Sequence, residues 1–219
     1  MTSDIPLVVG SISLEKCGNR DFFVDSACIA NAIPKSYFVA SGTGESDNAI
    51  DSVSYHMALQ DAGIAMCNIM KYSSILPEEA VETEKPKLVH GMELKSIEAR
   101  ANSRKGERAT AGICYGWLYD NAGKKHGGLV LEYPDSDMAK KHIYTTELAV
   151  KEALLAGLDE IAKASYPGLA LRDVKTVIKS FRPKKDKGTS LVALCFTNFI
   201  VPVNRINFCS WDVFAQDDK

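Results

Sequence analysis

The 219-residue chain has no apolar run approaching the roughly 20 residues that a membrane-spanning helix needs. Its start, Met1-Thr-Ser-Asp-Ile-Pro-Leu-Val-Val9, puts no basic residue ahead of a short apolar stretch, so a secretory signal is not expected. Net charge is nearly absent: 26 Lys and Arg against 28 Asp and Glu leave −2, which gives no electrostatic reason for nucleic acid or an anionic membrane as partner. Six cysteines, at positions 17, 28, 67, 114, 195 and 209, include no C-x-x-C, and no histidine pair has metal-ligand spacing. Cys67, Cys114 and Cys195 lie inside apolar, strand-like runs, where a free thiol acts as a small hydrophobe. A cytoplasmic, reduced protein without a structural metal or a disulfide framework is expected.

Phosphate-binding signatures are missing too. Neither G-x-x-x-x-G-K-[ST] nor G-x-G-x-x-G occurs, so Gly42-Thr-Gly-Glu-Ser46 reads as a plain turn. Ser13-Leu-Glu-Lys16 matches S-x-x-K without that motif's companions. His90, His126 and His142 stand alone in polar or turn contexts and read as solvated side chains.

What is there is a soluble composition, 46% hydrophobic and 25% charged, in a chain long enough for a real core. Residues 1–35 carry short apolar pieces without a clear period. Ser36–Gly42 reads as a strand. Asp47 and Asn48 read as the cap of a helix reaching Ala62, with Ile50, Val53 and Met57 at helical spacing and Gly63 just past its end. A strand over Ile64–Tyr72 follows. Met92, Leu94 and Ile97 mark another, leading to a turn at Ser103–Glu107. Thr110–Tyr119 and Gly128–Tyr133 form a predicted hairpin around Asn121-Ala-Gly123. The longest helical pattern is Thr145–Ala164, with Ala149, Val150, Ala153, Leu154, Leu158 and Ile161 on one side. Val174–Phe181 and Ser190–Phe199 read as strands on either side of a polar loop, and Gln216–Lys219 as a frayed end. Runs of strands with a few long helices argue an α+β fold.

One stretch resists a plain reading. Asn68-Ile-Met-Lys-Tyr-Ser-Ser-Ile-Leu-Pro77 begins as a strand and stops at two adjacent hydroxyls, Ser73 and Ser74, neither in a helix-cap position. The plain account is a strand end whose hydroxyls satisfy nearby backbone groups. The segment Ala62–Pro77, however, resembles the self-cleavage region of the pyruvoyl-dependent arginine decarboxylases. It has a Gly-Ile pair (Gly63-Ile64), an asparagine (Asn68), the Ser-Ser pair and an apolar-apolar-proline at that family's spacing. Gly127-Gly-Leu-Val-Leu-Glu-Tyr133 is similar to the family's glycine-apolar-glutamate-tyrosine strand. Ala111-Gly-Ile-Cys-Tyr-Gly116 and Ala193–Phe199 resemble its shorter, chlamydial-type members. The likeness runs from about Ser36 to Phe199, leaving the first 35 and the last 20 residues outside it.

The resemblance implies a chemistry. Removing CO₂ from an amino acid leaves a carbanion at Cα, which needs an electron sink. Such enzymes use neither pyridoxal phosphate nor a metal. They make a covalent pyruvoyl group from their own backbone, by attack of the second serine's hydroxyl on the preceding carbonyl, ester formation and β-elimination. Carried over, Ser74 is the pyruvoyl precursor. The break falls between Ser73 and Ser74, dividing one domain of residues 1–219 into 1–73 and 74–219. Ser73 is the small residue whose carbonyl is attacked. Asn68 polarises that carbonyl or holds the substrate-joining region, and Glu132 reprotonates Cα. Burial in an apolar strand would keep Glu132 protonated, as a general acid requires. Without the resemblance, Asn68 reads as a strand asparagine bonded to backbone and Glu132 as a solvent-facing residue.

The match departs at the substrate's side chain. The position where the family carries a guanidinium-binding aspartate falls on His56. Imidazole cannot make two parallel hydrogen bonds to a guanidinium as a carboxylate does. His56 also reads as an ordinary helix-surface histidine. Asp51 and Asp61 flank it, five residues away on either side and off the same helix face. Asp51 and His56 are thus the candidate substrate-binding residues. Three functions stay open: arginine decarboxylation to agmatine, the same reaction on another amino acid, or an unprocessed relative acting as an assembly partner. The resemblance also implies a four-layer α-β-β-α sandwich that assembles as a homotrimer or a dimer of trimers, with active sites between protomers.

Overall fold

The computed structural model describes residues 32–134 and 146–200. The readings of residues 1–31, of His142 and of the C-terminal tail lie outside the described residues. Nine strands and two helices follow one another in this part of the chain. They are β1 (Ile33–Ser46), α1 (Asp51–Asp61), β2 (Asn68–Lys71), β3 (Ile75–Leu76), β4 (Val81–Glu82), β5 (Glu93–Arg104), β6 (Ala109–Tyr119), β7 (Lys125–Tyr133), α2 (Glu147–Ser165), β8 (Ala170–Phe181) and β9 (Lys187–Ile200). The strands form two sheets, ordered β2-β5-β9-β1-β4 and β3-β7-β6-β8. The class is α+β.

β1 lies between β9 and β4. It runs antiparallel to β9 from Ile33↔Ile200 to Ser46↔Lys187 and pairs parallel with β4 at Ser36↔Val81. β2 pairs parallel with β5, from Asn68↔Glu93 to Lys71↔Ser96. β9 is buried on both faces from Gly188 to Phe196, the pattern of a central strand covered on two sides.

Three apolar clusters hold these elements. The largest takes Tyr37, Ile97, Ala99, Val192 and Phe196 from the first sheet and Ile113, Tyr115 and Val130 from the second. A second buries Ala58 and Leu59 of α1, with Ala62 just past its end, against Phe38, Ala40, Leu94, Leu191 and Ala193. A third buries Val150, Leu154, Leu158 and Ala162 of α2 against Cys114, Leu118 and Leu129 of the second sheet. Each large side chain so buried contributes about 1.5–3 kcal/mol. α2 follows its predicted pattern. Thr146 caps its start by accepting from the Ala149 N–H at 3.3 Å, and the buried stripe recurs every fourth residue. Ile161, expected on that stripe, is 38% exposed.

Two expectations fail near α1, for one reason. Gly42–Ser46 is not a turn but the end of β1. A Cβ on Gly42 would lie 2.2 Å from the Ala58 carbonyl oxygen, and one on Gly44 would lie 2.2 Å from that of Ser54. The glycines are there because the helix backbone rests on the strand. The face of α1 that meets them must therefore be small, and its buried residues are Ser54, Ala58 and Leu59. Ile50 and Met57, expected inside, are 62% and 41% exposed. The helix also starts later than its predicted cap. Asn48 accepts from the Ile50 N–H at 2.9 Å, and no side chain caps Ile50 itself. Its far end closes as expected at Gly63, with Ile64 N–H on Leu59 O and Gly63 N–H on Gln60 O. Gly44→Ala is expected to lower stability by about 3 kcal/mol through overpacking. A thermal melt should show this as a fall in Tm of roughly 6–12 °C. An unchanged melt would mean that the strand and helix can part at no cost.

Candidate active site

The expected strand Ile64–Tyr72 is shorter than predicted, because Ala65–Cys67 turn and only Asn68–Lys71 pair. β2 is an edge of the first sheet and β3 an edge of the second. Tyr72, Ser73 and Ser74 are the crossing between them. This explains why the apolar run ends in two hydroxyls: the chain leaves one sheet before it has entered the other.

Both ends of the crossing are pinned. The Tyr72 N–H donates to Ser96 O at 2.8 Å on the first sheet, and the Tyr72 ring packs 5.6 Å from that of Phe196. On the second sheet, the Val130 N–H donates to Ser74 O at 2.9 Å, and Ile75 and Leu76 pair with Leu129 and Gly128. Between the pins the chain makes a three-residue turn, in which Ile75 N–H donates to Ser73 O at 3.0 Å. Ser74 is its centre.

The Ser74 hydroxyl donates to Glu132, with Oγ 3.1 Å from Oε1 and 3.0 Å from Oε2. Glu132 sits opposite Ile113 on β6 and shares a strand face with Val130, so it points to the side on which the first sheet lies. It is half-buried, less enclosed than its apolar neighbours suggested, as is Ser74; Ser73 is exposed. Ser74 and Glu132, 58 residues apart in sequence, are thus brought together. Chemically, the site offers a hydroxyl beside a proton acceptor and, one residue back, a carbonyl polarised by an N–H. Those groups fit the formation of a backbone-derived ketone at residue 74.

The other predicted site residues lie elsewhere in the chain. Asn68 is exposed at the start of β2, and its amide donates to Gly91 O at 2.8 Å. Four residue steps along the strand, about 13 Å, carry the chain from it to Tyr72. The Ser73 carbonyl is met by the Ile75 N–H instead. Asp51 and His56 are exposed on α1, which packs on the face of the first sheet away from Glu132. Asp51 is paired with the Lys187 ammonium, whose hydrogen bond and charge lower its pKa.

Two side chains escaped the sequence reading. Glu98 on β5 is only 4% exposed. It accepts from the Tyr55 hydroxyl at 2.8 Å, and burial raises its pKa against that hydrogen bond and the charge of Arg100. Lys95, also on β5, lies over the rings of Tyr72 and Phe199. Alternation along β5 makes either residue look like a solvent-facing charge. The coverage comes from α1 and from β9, which the local pattern does not reveal. Among the described residues, Cys67, Cys114 and Cys195 are free thiols, no cluster of three metal-ligating side chains occurs, and no helix is long and apolar enough to cross a membrane.

The family described as pyruvoyl-dependent arginine decarboxylase matches residues 36–201. A protein of that name from Methanopyrus kandleri is 30% identical over 161 residues, covering 74% of this chain and 95% of the relative. Relatives of the same name from Methanococcus maripaludis strain C7 and Methanococcus aeolicus are 31% identical over 101 residues and 28% over 127, covering 58% and 72% of their own lengths.

Proposed function

This chain belongs to the pyruvoyl-dependent arginine decarboxylase family, and from that premise we propose that it cuts itself between Ser73 and Ser74 and converts L-arginine to agmatine and CO₂. The observation that carries the self-cutting is the Ser74 hydroxyl held on the Glu132 carboxylate, within a turn that bends the chain at the attacked peptide.

Glu132 takes the hydroxyl proton as Oγ attacks the Ser73 carbonyl carbon, and the Ile75 N–H steadies the charge that develops on Ser73 O. The amide C–N bond breaks, its nitrogen gains a proton, and an ester joins Ser73 to the Ser74 side chain. Glu132, having passed its first proton to that nitrogen, takes the Ser74 Cα proton, and the ester oxygen leaves with Ser73 as a carboxylate. Residue 74 becomes a dehydroalanine, and water replaces its nitrogen, which leaves as ammonia. The covalent pyruvoyl group so formed supplies the electron sink for decarboxylation. Glu132 then holds the proton that returns to Cα after CO₂ has left. No metal and no pyridoxal phosphate take part.

The three apolar clusters support a four-layer order, α1, first sheet, second sheet, α2. With His56 and Asp51 on the far face of the first sheet, it is a neighbouring copy, in a homotrimer or dimer of trimers, that would bring these two side chains to Ser74. Asn68 would act by the same route. We place the protein in the cytoplasm, acting on a free amino acid.

Intact-mass measurement of the denatured protein, paired with an amine-release assay on a panel of amino acids, tests the reading. Two masses, for residues 1–73 and for 74–219 with a pyruvoyl N-terminus, are expected, with agmatine from arginine. Two masses with release from another amino acid would move the substrate and assign the change to His56. A chain that stays whole would leave only the assembly-partner role.

A further inference from the structure

We propose that Lys95 anchors the carboxylate that cutting leaves on Ser73; the inference rests on the self-cutting reading above. Lys95 is half-buried on β5, opposite Met70 of β2. It alternates with Ile97 and Ala99, which face the second sheet, so it lies on the same side of the first sheet as Tyr72 and Glu132. Its ammonium is 5.7 Å from the ring centroid of Tyr72 and 4.8 Å from that of Phe199. It has no carboxylate partner among the described residues, unlike Lys163, Lys175 and Lys187. Aromatic faces hold a cation in place without neutralising it. The residue after Tyr72 is Ser73.

Cutting creates a charge one residue along the chain from Tyr72. When the Cα proton of Ser74 is removed, the Cβ–Oγ bond breaks and its electron pair stays on Oγ, which departs as part of the Ser73 carboxylate. That oxygen starts 3.0 Å from Oε2 of Glu132. Each time Glu132 gives up its proton, two carboxylates so close repel, and a cation beside one of them relieves that repulsion. Lys95 carries a compact charge on a flexible four-carbon stem, and its ring contact fixes it beside the residue that precedes the new end. Arg100, also on β5, is stacked on Tyr55 at 4.7 Å on the opposite face of the sheet. Lys95 is therefore a positioning residue: it holds the Ser73 carboxylate away from Glu132, which carries the proton for decarboxylation.

Limited labelling with an amine-acetylating reagent, read residue by residue by mass spectrometry, tests this on cut wild-type protein and on uncut Ser74→Ala protein. Lys95 is expected to label roughly fivefold more slowly in the cut protein, as a newly formed ion pair requires, while exposed Lys105 labels equally in both. A merely structural lysine would label alike before and after the cut. Equal labelling of Lys95, with the cut verified by mass, overturns the anchor alone. A wild-type chain that stays uncut overturns the self-cutting and the anchor together.

Discussion

Ser74→Ala protein is expected to remain a single chain of 219 residues and to release no CO₂ from arginine above background. The substitution removes one atom, Oγ, and with it the nucleophile, the ester and the ketone that would follow. Decarboxylation then has no electron sink. The whole enhancement, at least about 10⁶-fold for an enzyme, should vanish to the assay floor. The fold should survive. The Ser74 carbonyl keeps its bond from Val130 N–H, the Ile75 N–H still reaches Ser73 O, and the lost hydroxyl was only half-buried. Stability should change by no more than about 1 kcal/mol. Intact mass, an arginine assay and a thermal melt on one preparation check all three statements. A cut Ser74→Ala chain would remove Ser74 from its role.

Glu132→Gln is expected to have the second largest effect. The amide keeps the shape of the carboxylate and a hydrogen bond to the Ser74 hydroxyl, but it can neither take that proton nor return one to Cα. General acid-base groups contribute about 10²–10⁴-fold, or about 3–5 kcal/mol of barrier. Both the rate of cutting and the turnover of the cut fraction should fall by factors in that range. Measuring the two rates separately divides the roles. Normal cutting with lost turnover would confine Glu132 to reprotonation, and two unchanged rates would exclude it from the chemistry. Glu132→Asp, which retains the carboxylate one methylene short of the hydroxyl, should recover part of each.

The hairpin of β6 and β7 was legible in the sequence, because two apolar runs flank an Asn-Ala-Gly turn and everything needed is local. α2 was legible for the same reason. α1 was misread on its buried face. A pattern of large apolar residues locates the inside only where there is room for them, and here Gly42 and Gly44 bring backbone against backbone. The serine pair stood out because no local rule explained it. Its physical meaning depends on which strands lie at the edges of two sheets, and that is set by pairings between distant segments. Lys95 was invisible for a similar reason: Phe199, one of the two rings beneath it, arrives from the far end of the described chain.

The position of β1 has a consequence for the life of the protein after the cut. Residues 1–73 would carry β1, α1 and β2, while every neighbour of β1 and β2 belongs to the other piece. β1 is sewn between β9 and β4, so neither fragment owns a complete first sheet. A break between Ser73 and Ser74 would therefore leave every strand pairing in place while forfeiting the way back. Once unfolded, the two pieces must find each other by diffusion, and recovery becomes dependent on concentration where it was once a property of a single chain. Each cut molecule would thus be assembled once, as a single thread, and would thereafter persist through the slowness of its unfolding.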